Sequence, residues 1–111
     1  MSVIKIRSAR RYLHREVILE GVLVEKRPPK VVKPSFDLGE GKTYKFSEGI
    51  LRNGEDEIGI ILWGEMIDKV DVGDRIKVKG TIKRFKGRYL LHVGRGGRIE
   101  VLNRGKENRG K

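Results

Sequence analysis

Apolar and polar positions alternate along much of this chain with a period of two. Arg75-Ile-Lys-Val-Lys-Gly-Thr-Ile-Lys83 puts Ile76, Val78 and Ile82 on one face and Arg75, Lys77, Lys79, Thr81 and Lys83 on the other, which predicts a strand with one core face and one cationic face. Val17-Ile-Leu-Glu-Gly-Val-Leu-Val24 is rich in β-branched residues and predicts a first strand from Arg15 to Lys26, with Gly21 allowing a bend or bulge. Tyr44 to Arg52 is a second extended segment, and Asn53-Gly54 supplies a hairpin turn that pairs it antiparallel with Ile58-Gly-Ile-Ile-Leu-Trp63. If Ile58, Ile60 and Leu62 point inward, Ile61 and Trp63 lie on the outer face. If Ser47, Gly49 and Leu51 point inward, Tyr44, Phe46 and Ile50 join Trp63 there, with Glu48 and Arg52 among them. Phe85-Lys-Gly87 turns the chain into Arg88 to Val93, where Tyr89 shares the core parity of Leu91 and Val93. Gly94-Arg-Gly-Gly97 leads to a last short strand around Ile99 to Leu102.

Helical patterning is confined to Glu65-Met-Ile-Asp-Lys-Val70, enough for a turn or two before the turn Asp71-Val-Gly-Asp74. From Arg27 to Lys42, all three prolines and no clear period predict a long loop. An all-β chain with a long loop between its first two strands and a short helix between the third and fourth has the order of an OB-fold, a five-stranded Greek-key barrel. An SH3-like barrel is the alternative.

Charge sharpens this picture because it is unevenly placed. Residues 75 to 98 hold nine Lys or Arg and no acid, while eight of the fifteen acids fall between Glu48 and Asp74. Five further basic residues and no acid occupy the first fifteen positions, and four stand against Glu107 in residues 103 to 111. The net charge of +11 therefore resolves into one cationic strand face and two basic ends, the electrostatic pattern of a polyanion binder. A barrel whose outer face also carries Trp63 suits single-stranded nucleic acid, whose bases stack on aromatic rings while Lys and Arg follow the phosphates. Phe85, between Arg84 and Lys86 in a turn, is a second stacking candidate. The alternative for Trp63 is that it caps the barrel against the helical turn.

Other chemistries find little support. The absence of cysteine excludes disulfides, thiolate metal sites and thiol catalysis. His14 and His92 lack a neighbouring set of ligands at metal-binding spacing, and Gly94-Arg-Gly-Gly97 lacks the Lys-Ser/Thr and helix of a nucleotide phosphate loop. Paired carboxylates sit in turn sequences, so neither an enzyme active site nor a cofactor is expected. No apolar run approaches the roughly 18 residues of a membrane span, and no signal-peptide core is visible, so a cytoplasmic, nucleoid-associated protein is expected.

Leu62-Trp63-Gly64, Val72-Gly-Asp-Arg-Ile-Lys-Val-Lys-Gly80, Phe85-Lys-Gly87 and Gly94-Arg-Gly-Gly97 resemble the corresponding strings of single-OB-domain single-stranded DNA-binding proteins, the archaeal SSB and SOSS-B type related to replication protein A. The resemblance spans roughly Val17 to Leu102 and is strongest after Ile58. It implies base stacking by Trp63 and Phe85, and it places Thr81 and His92 where that family commonly carries aromatics. The Asp-x-Thr-Gly turn usual in the family is replaced by Asn53-Gly-Glu-Asp56, and the loop from Arg27 to Thr43 is longer and richer in proline.

The expectation is a basic N-terminal arm (residues 1–14), an OB-fold domain (15–102) and a disordered basic tail (103–111). Its function would be largely sequence-independent binding of single-stranded DNA in replication, repair or recombination. The expected contact residues are Trp63, Phe85, Lys77, Lys79, Thr81, Lys83, Arg84, Lys86, Arg88, His92, Tyr44, Phe46, Arg52 and Arg95. RNA or tRNA binding, and protein docking within a replication complex, are the alternatives.

Overall fold

Strands that are apolar on one side bury that side most completely by closing on themselves. In this structure, a computed structural model describing residues 2–33 and 43–105, the strands are β1 (Glu16–Lys26), β2 (Lys30–Val32), β3 (Tyr44–Asn53), β4 (Asp56–Trp63), β5 (Arg75–Phe85), β6 (Arg88–Val93) and β7 (Arg98–Asn103). Five of them form a closed barrel in the order β1-β3-β4-β6-β5, with β5 returning to β1. Neighbours in the wall run antiparallel except β4 and β6, which are parallel. That circuit is the OB-fold.

The inward parity read from the sequence holds in the wall. Leu19, Leu23, Leu51, Ile60, Leu62, Ile76, Val78, Ile82, Leu91 and Val93 are completely buried, and Ser47 faces inward beside Leu51. Tyr89 packs against this core as its parity requires. β1 changes partners midway, pairing with β5 from Glu16 to Val22 and with β3 from Val22 to Lys26, and a bulge between Leu23 and Glu25 absorbs the turn. At that crossing a Cβ on Gly21 would stand 2.5 Å from the Arg52 carbonyl oxygen, so the close approach requires glycine.

Two strands lie outside the five-membered wall. β2 forms within the expected loop and pairs with the start of β3, projecting a short ribbon; residues 34–42 of that loop lie outside the described residues. β7 pairs with the first half of β5 on the same edge that β6 occupies further along, so β6 and β7 are two halves of one line interrupted at Gly94–Gly97.

A barrel of five strands needs something at each end. Gly64–Lys69 is a 3-10 helix that inserts Met66 and Ile67, followed by Val70, where β4 finishes. Ile6–Tyr12 is a second 3-10 helix, burying Ile6 and Ala9 near Ile58 and Tyr89, where β4 starts. Bridges from Val3 to Ile18 and from Leu13 to Ile82 hold that segment to the wall. The first fourteen residues are thus not a free arm: Ile6 and Ala9, three apart, meet on one side of a tight helical turn and plug the barrel. No helix among the described residues is long and apolar enough to cross a membrane.

The C-terminal boundary also moves. Asp74 is 1% exposed; its Oδ1 accepts the Gly105 amide (3.0 Å), and its Oδ2 accepts the Asp71 amide (2.9 Å) and Arg104 Nη1 (3.2 Å). Ordered chain therefore runs past Leu102, because a buried carboxylate needs donors and this segment supplies them. Residues 106–111 of the expected tail lie outside the described residues. Asp74→Ala strands two backbone donors and a guanidinium, and should lower the unfolding free energy by about 1–3 kcal/mol. A urea midpoint equal to that of the unaltered protein would show that the clasp adds no stability.

Candidate nucleic-acid interface

With the inner parity fixed by the core, the outer faces of β3, β4 and β6 follow from register. Phe46 lies across from Trp63; Glu48, Ile61, His92 and Thr81 form the next row; Ile50, Gly59, Leu90 and Lys83 form the row after it. Trp63 is half-buried in this face, its ring 5.1 Å from that of Phe46 and 6.3 Å from that of His92. It packs against aromatic neighbours on the outer wall, with Gly94 so close that an added Cβ would sit 3.3 Å from the Trp63 Cβ. Trp63 thus has Phe46 and His92 as ring neighbours, at the strand end from which the Gly64–Lys69 helix departs.

Trp63 Nε1 donates to His92 Nδ1 at 3.3 Å. That bond needs the Nδ1 lone pair, so His92 is neutral with its proton on Nε2. Burial, and then the nearby Lys83 ammonium, hold the His92 pKa below the ordinary imidazole value.

Two recesses lie along β4. One, near Trp63, is bordered by Tyr44, Lys45, Lys69 and Arg95. The other is a trough of about 230 Å³ over Gly59, floored by Ile50, Ile61 and Leu90 and rimmed by Arg27, Phe85, Lys86 and Arg88. Phe85 is 61% exposed, with Lys86 Nζ 5.3 Å above its ring. The hairpin presenting them turns on Lys86 and Gly87, both at positive φ (52° and 79°), the backbone of a type I′ turn that matches strand twist.

The fourteen residues singled out from the sequence divide by placement. Trp63, Phe46, Tyr44 and His92 share one side of the sheet, with Thr81 beside His92 and with Lys83, Phe85, Lys86 and Arg88 along the hairpin. Arg95 is in the glycine-rich turn beside Trp63. Arg52 is held by Glu57 in an ion pair. Arg84 has core parity and lies with its guanidinium 5.6 Å from the Tyr89 ring centre, away from the trough. Lys77 and Lys79 belong to the stretch of β5 between β1 and β7; Lys77 stands between Glu20 and Glu100, and Lys79 Nζ is 3.7 Å from Glu16. The cationic stripe that is continuous in sequence is therefore split in space, and its first half is offset by acids from neighbouring strands.

Two trough residues were missed as contacts. Arg27, at the rim, sits in a proline-rich segment with no periodic signal; Glu25 and Glu48 raise its pKa. Glu48 lies on the outer face by parity, but that it sits beside Ile61 and lines the trough depends on pairing that local sequence does not encode. Among the described residues no group of three His, Cys, Asp or Glu is placed to hold a metal.

The burial of His92, with Lys83 nearby, makes stability pH-dependent with a defined sign. Because its pKa is lower in the fold, the unfolded chain takes up the proton first as pH falls through about 6.5. The contribution is complete above that pH and is progressively lost below it, until folded His92 also titrates. Urea unfolding at pH 7.5 and 5.5 should show a loss that His92→Gln reduces, and an identical pH response in the variant would refute the coupling.

No protein-family model and no curated protein matches this chain. Solved structures do. A domain of replication protein A from Methanococcus maripaludis aligns with a TM-score of 0.73 over 94% of this chain and 99% of its own, at 19% identity. The replication factor A related protein of Methanobacterium thermoautotrophicum gives 0.65 over 81% and 83%, at 23% identity. The OB domain of a Thermoplasma acidophilum protein gives 0.71 over 91% and 87%, at 22% identity. Strand circuit, end helix and these likenesses agree that the chain is an OB-fold domain of the architecture found in archaeal replication protein A.

Proposed function

We propose that this protein binds single-stranded DNA with little sequence preference, in replication, repair or recombination. One observation carries the reading: an aromatic cluster of Trp63, Phe46 and His92 stands on the outer wall instead of joining the core. An outward Trp in a small barrel whose core is already filled by aliphatic side chains has a use when a ligand with π-faces covers it. Lys83, Lys86 and Arg95 form no ion pair among the described residues, so they are free to meet phosphates. Duplex DNA keeps its base faces stacked inside and would engage the cations without the platform. The shared architecture with the replication protein A domain of M. maripaludis and the replication factor A related protein of M. thermoautotrophicum fits this role.

Glu48 works against it. A carboxylate lining the trough repels phosphate, and Arg27 on the same rim is already bonded to Glu25. Glu48→Gln should tighten binding about two- to fivefold, the effect of one screened surface charge.

Titration of an oligothymidylate followed by the emission of Trp63, the single tryptophan, tests the proposal. Stacking should quench that emission in proportion to occupancy. Trp63→Ala should weaken binding by about 1–3 kcal/mol, and affinity should fall with salt at a slope near −0.7 per phosphate contact. Lys77→Glu with Lys79→Glu should matter less than Lys83→Glu with Lys86→Glu, because the first pair already faces acids. Saturation with unchanged emission, and full affinity in folded Trp63→Ala, would reject the platform. A matched RNA that binds more tightly than the DNA would transfer the assignment to RNA.

A further inference from the structure

Beside the trough, past Gly59, lies a groove of about 370 Å³ between the N-terminal 3-10 helix and the strands, with Ile6, Ala9 and Ile58 as its apolar floor. Gly59 and Arg88 line both spaces, so the two adjoin. The Leu90 side chain and the Arg88 guanidinium lie over Gly59, where an added Cβ would stand 2.5 Å and 3.3 Å from them, so Arg88 stands at the boundary between the two.

Three arginines reach this groove, and the acids near it are already engaged. Arg7 Nε is bonded to Asp56 at 3.0 Å, and Glu57 is paired with Arg52. Arg10 and Arg88 are exposed and have no carboxylate partner among the described residues. The groove thus offers two uncompensated guanidinium groups above an apolar floor. Guanidinium groups bind phosphate oxygens through paired N–H donors, while the floor suits the less polar sugar and base. From Trp63 to Glu57 the groove is displaced by six strand residues, roughly 20 Å at the rise of a β-strand.

We propose that Arg10 and Arg88 form a second phosphate subsite, in which the N-terminal 3-10 helix holds the single strand after it leaves the aromatic platform. The binding site is then built jointly by a segment that precedes the barrel and by the β5–β6 hairpin, and is longer than the barrel face. This rests on the single-stranded DNA reading above. A free small anion would be satisfied by the guanidinium groups alone, but the place of Arg88 on both the groove and the trough favours a strand that spans both.

Full-length protein carrying Arg10→Gln and Arg88→Gln tests the idea, since both side chains are exposed and neither change disturbs the buried Ile6 and Ala9. Oligothymidylates of about four and about twelve nucleotides bracket a short and an extended site. The unaltered protein should gain affinity with length. Arg10→Gln should bind the short oligomer within about twofold of the unaltered protein, and the double variant, which also loses a rim contact of the trough, should lose about tenfold on the long one. Its salt slope on the long oligomer should be shallower by about 1.4, the value for two lost single-strand contacts. Arg10→Gln alone should give part of both effects, tying them to the helix. Unchanged length dependence and slope in a variant that still binds through Trp63 would overturn the subsite and leave the platform standing. Absence of binding to either oligomer by the unaltered protein would reject the DNA reading and the subsite with it.

Discussion

The parallel contact between β4 and β6 is the pairing on which the rest depends. The other wall contacts are antiparallel, and without this one the strands would form an open, twisted sheet with two exposed edges. Closure does two things together. It seals the inward faces of Ile60, Leu62, Leu91 and Val93 against one another, and it sets Ile61 beside His92 on the outside, which carries Trp63 into hydrogen-bonding reach of an imidazole 29 positions away. Core and candidate site are thus two faces of one ladder, and a register slip that spoiled one would spoil the other.

What could be read in advance was what obeys parity. Period two in β4 and β5 assigned Ile58, Ile60, Leu62, Ile76, Val78 and Ile82 inward and Trp63 outward, and the coordinates agree. Gly54 and Gly87 marked the hairpin turns, and both stand at positive φ, which few other residues accept. What depends on non-local pairing was not readable. Lys77 looked like a ligand contact until β1 and β7 placed Glu20 and Glu100 on either side of it. His92 looked like a missing aromatic, and it is an acceptor for the Trp63 indole. The N-terminal plug escaped notice because two apolar residues three apart among arginines give too short a pattern to declare a helix.

Plugging both ends with 3-10 turns has an effect on the outer wall. Because Met66 and Ile67 at one end and Ile6 and Ala9 at the other complete the core, Tyr12 and Tyr89 only pack against its margin, and Phe46, Trp63 and Phe85 are left to the surface. Small cores commonly spend their large rings on filling volume. Here aliphatic side chains fill most of it, and three rings remain on the outer wall and the β5–β6 hairpin.

The bridge between Leu13 and Ile82 bears on how such a wall can assemble. Leu13 finds its partner in β5, and Ile6 and Ala9 are covered only when later strands are in place, so this segment waits for much of the following sequence. Local hairpins such as β3–β4 can form at once, whereas the ring cannot, because its closing contacts join distant segments and carry the loop entropy of everything between them. Chains of this topology belong to the slow class, folding in roughly milliseconds to seconds. Until then Ile6 and Ala9 are an uncovered apolar pair set among arginines, and the repulsion between those like charges helps to keep one unfinished chain from another.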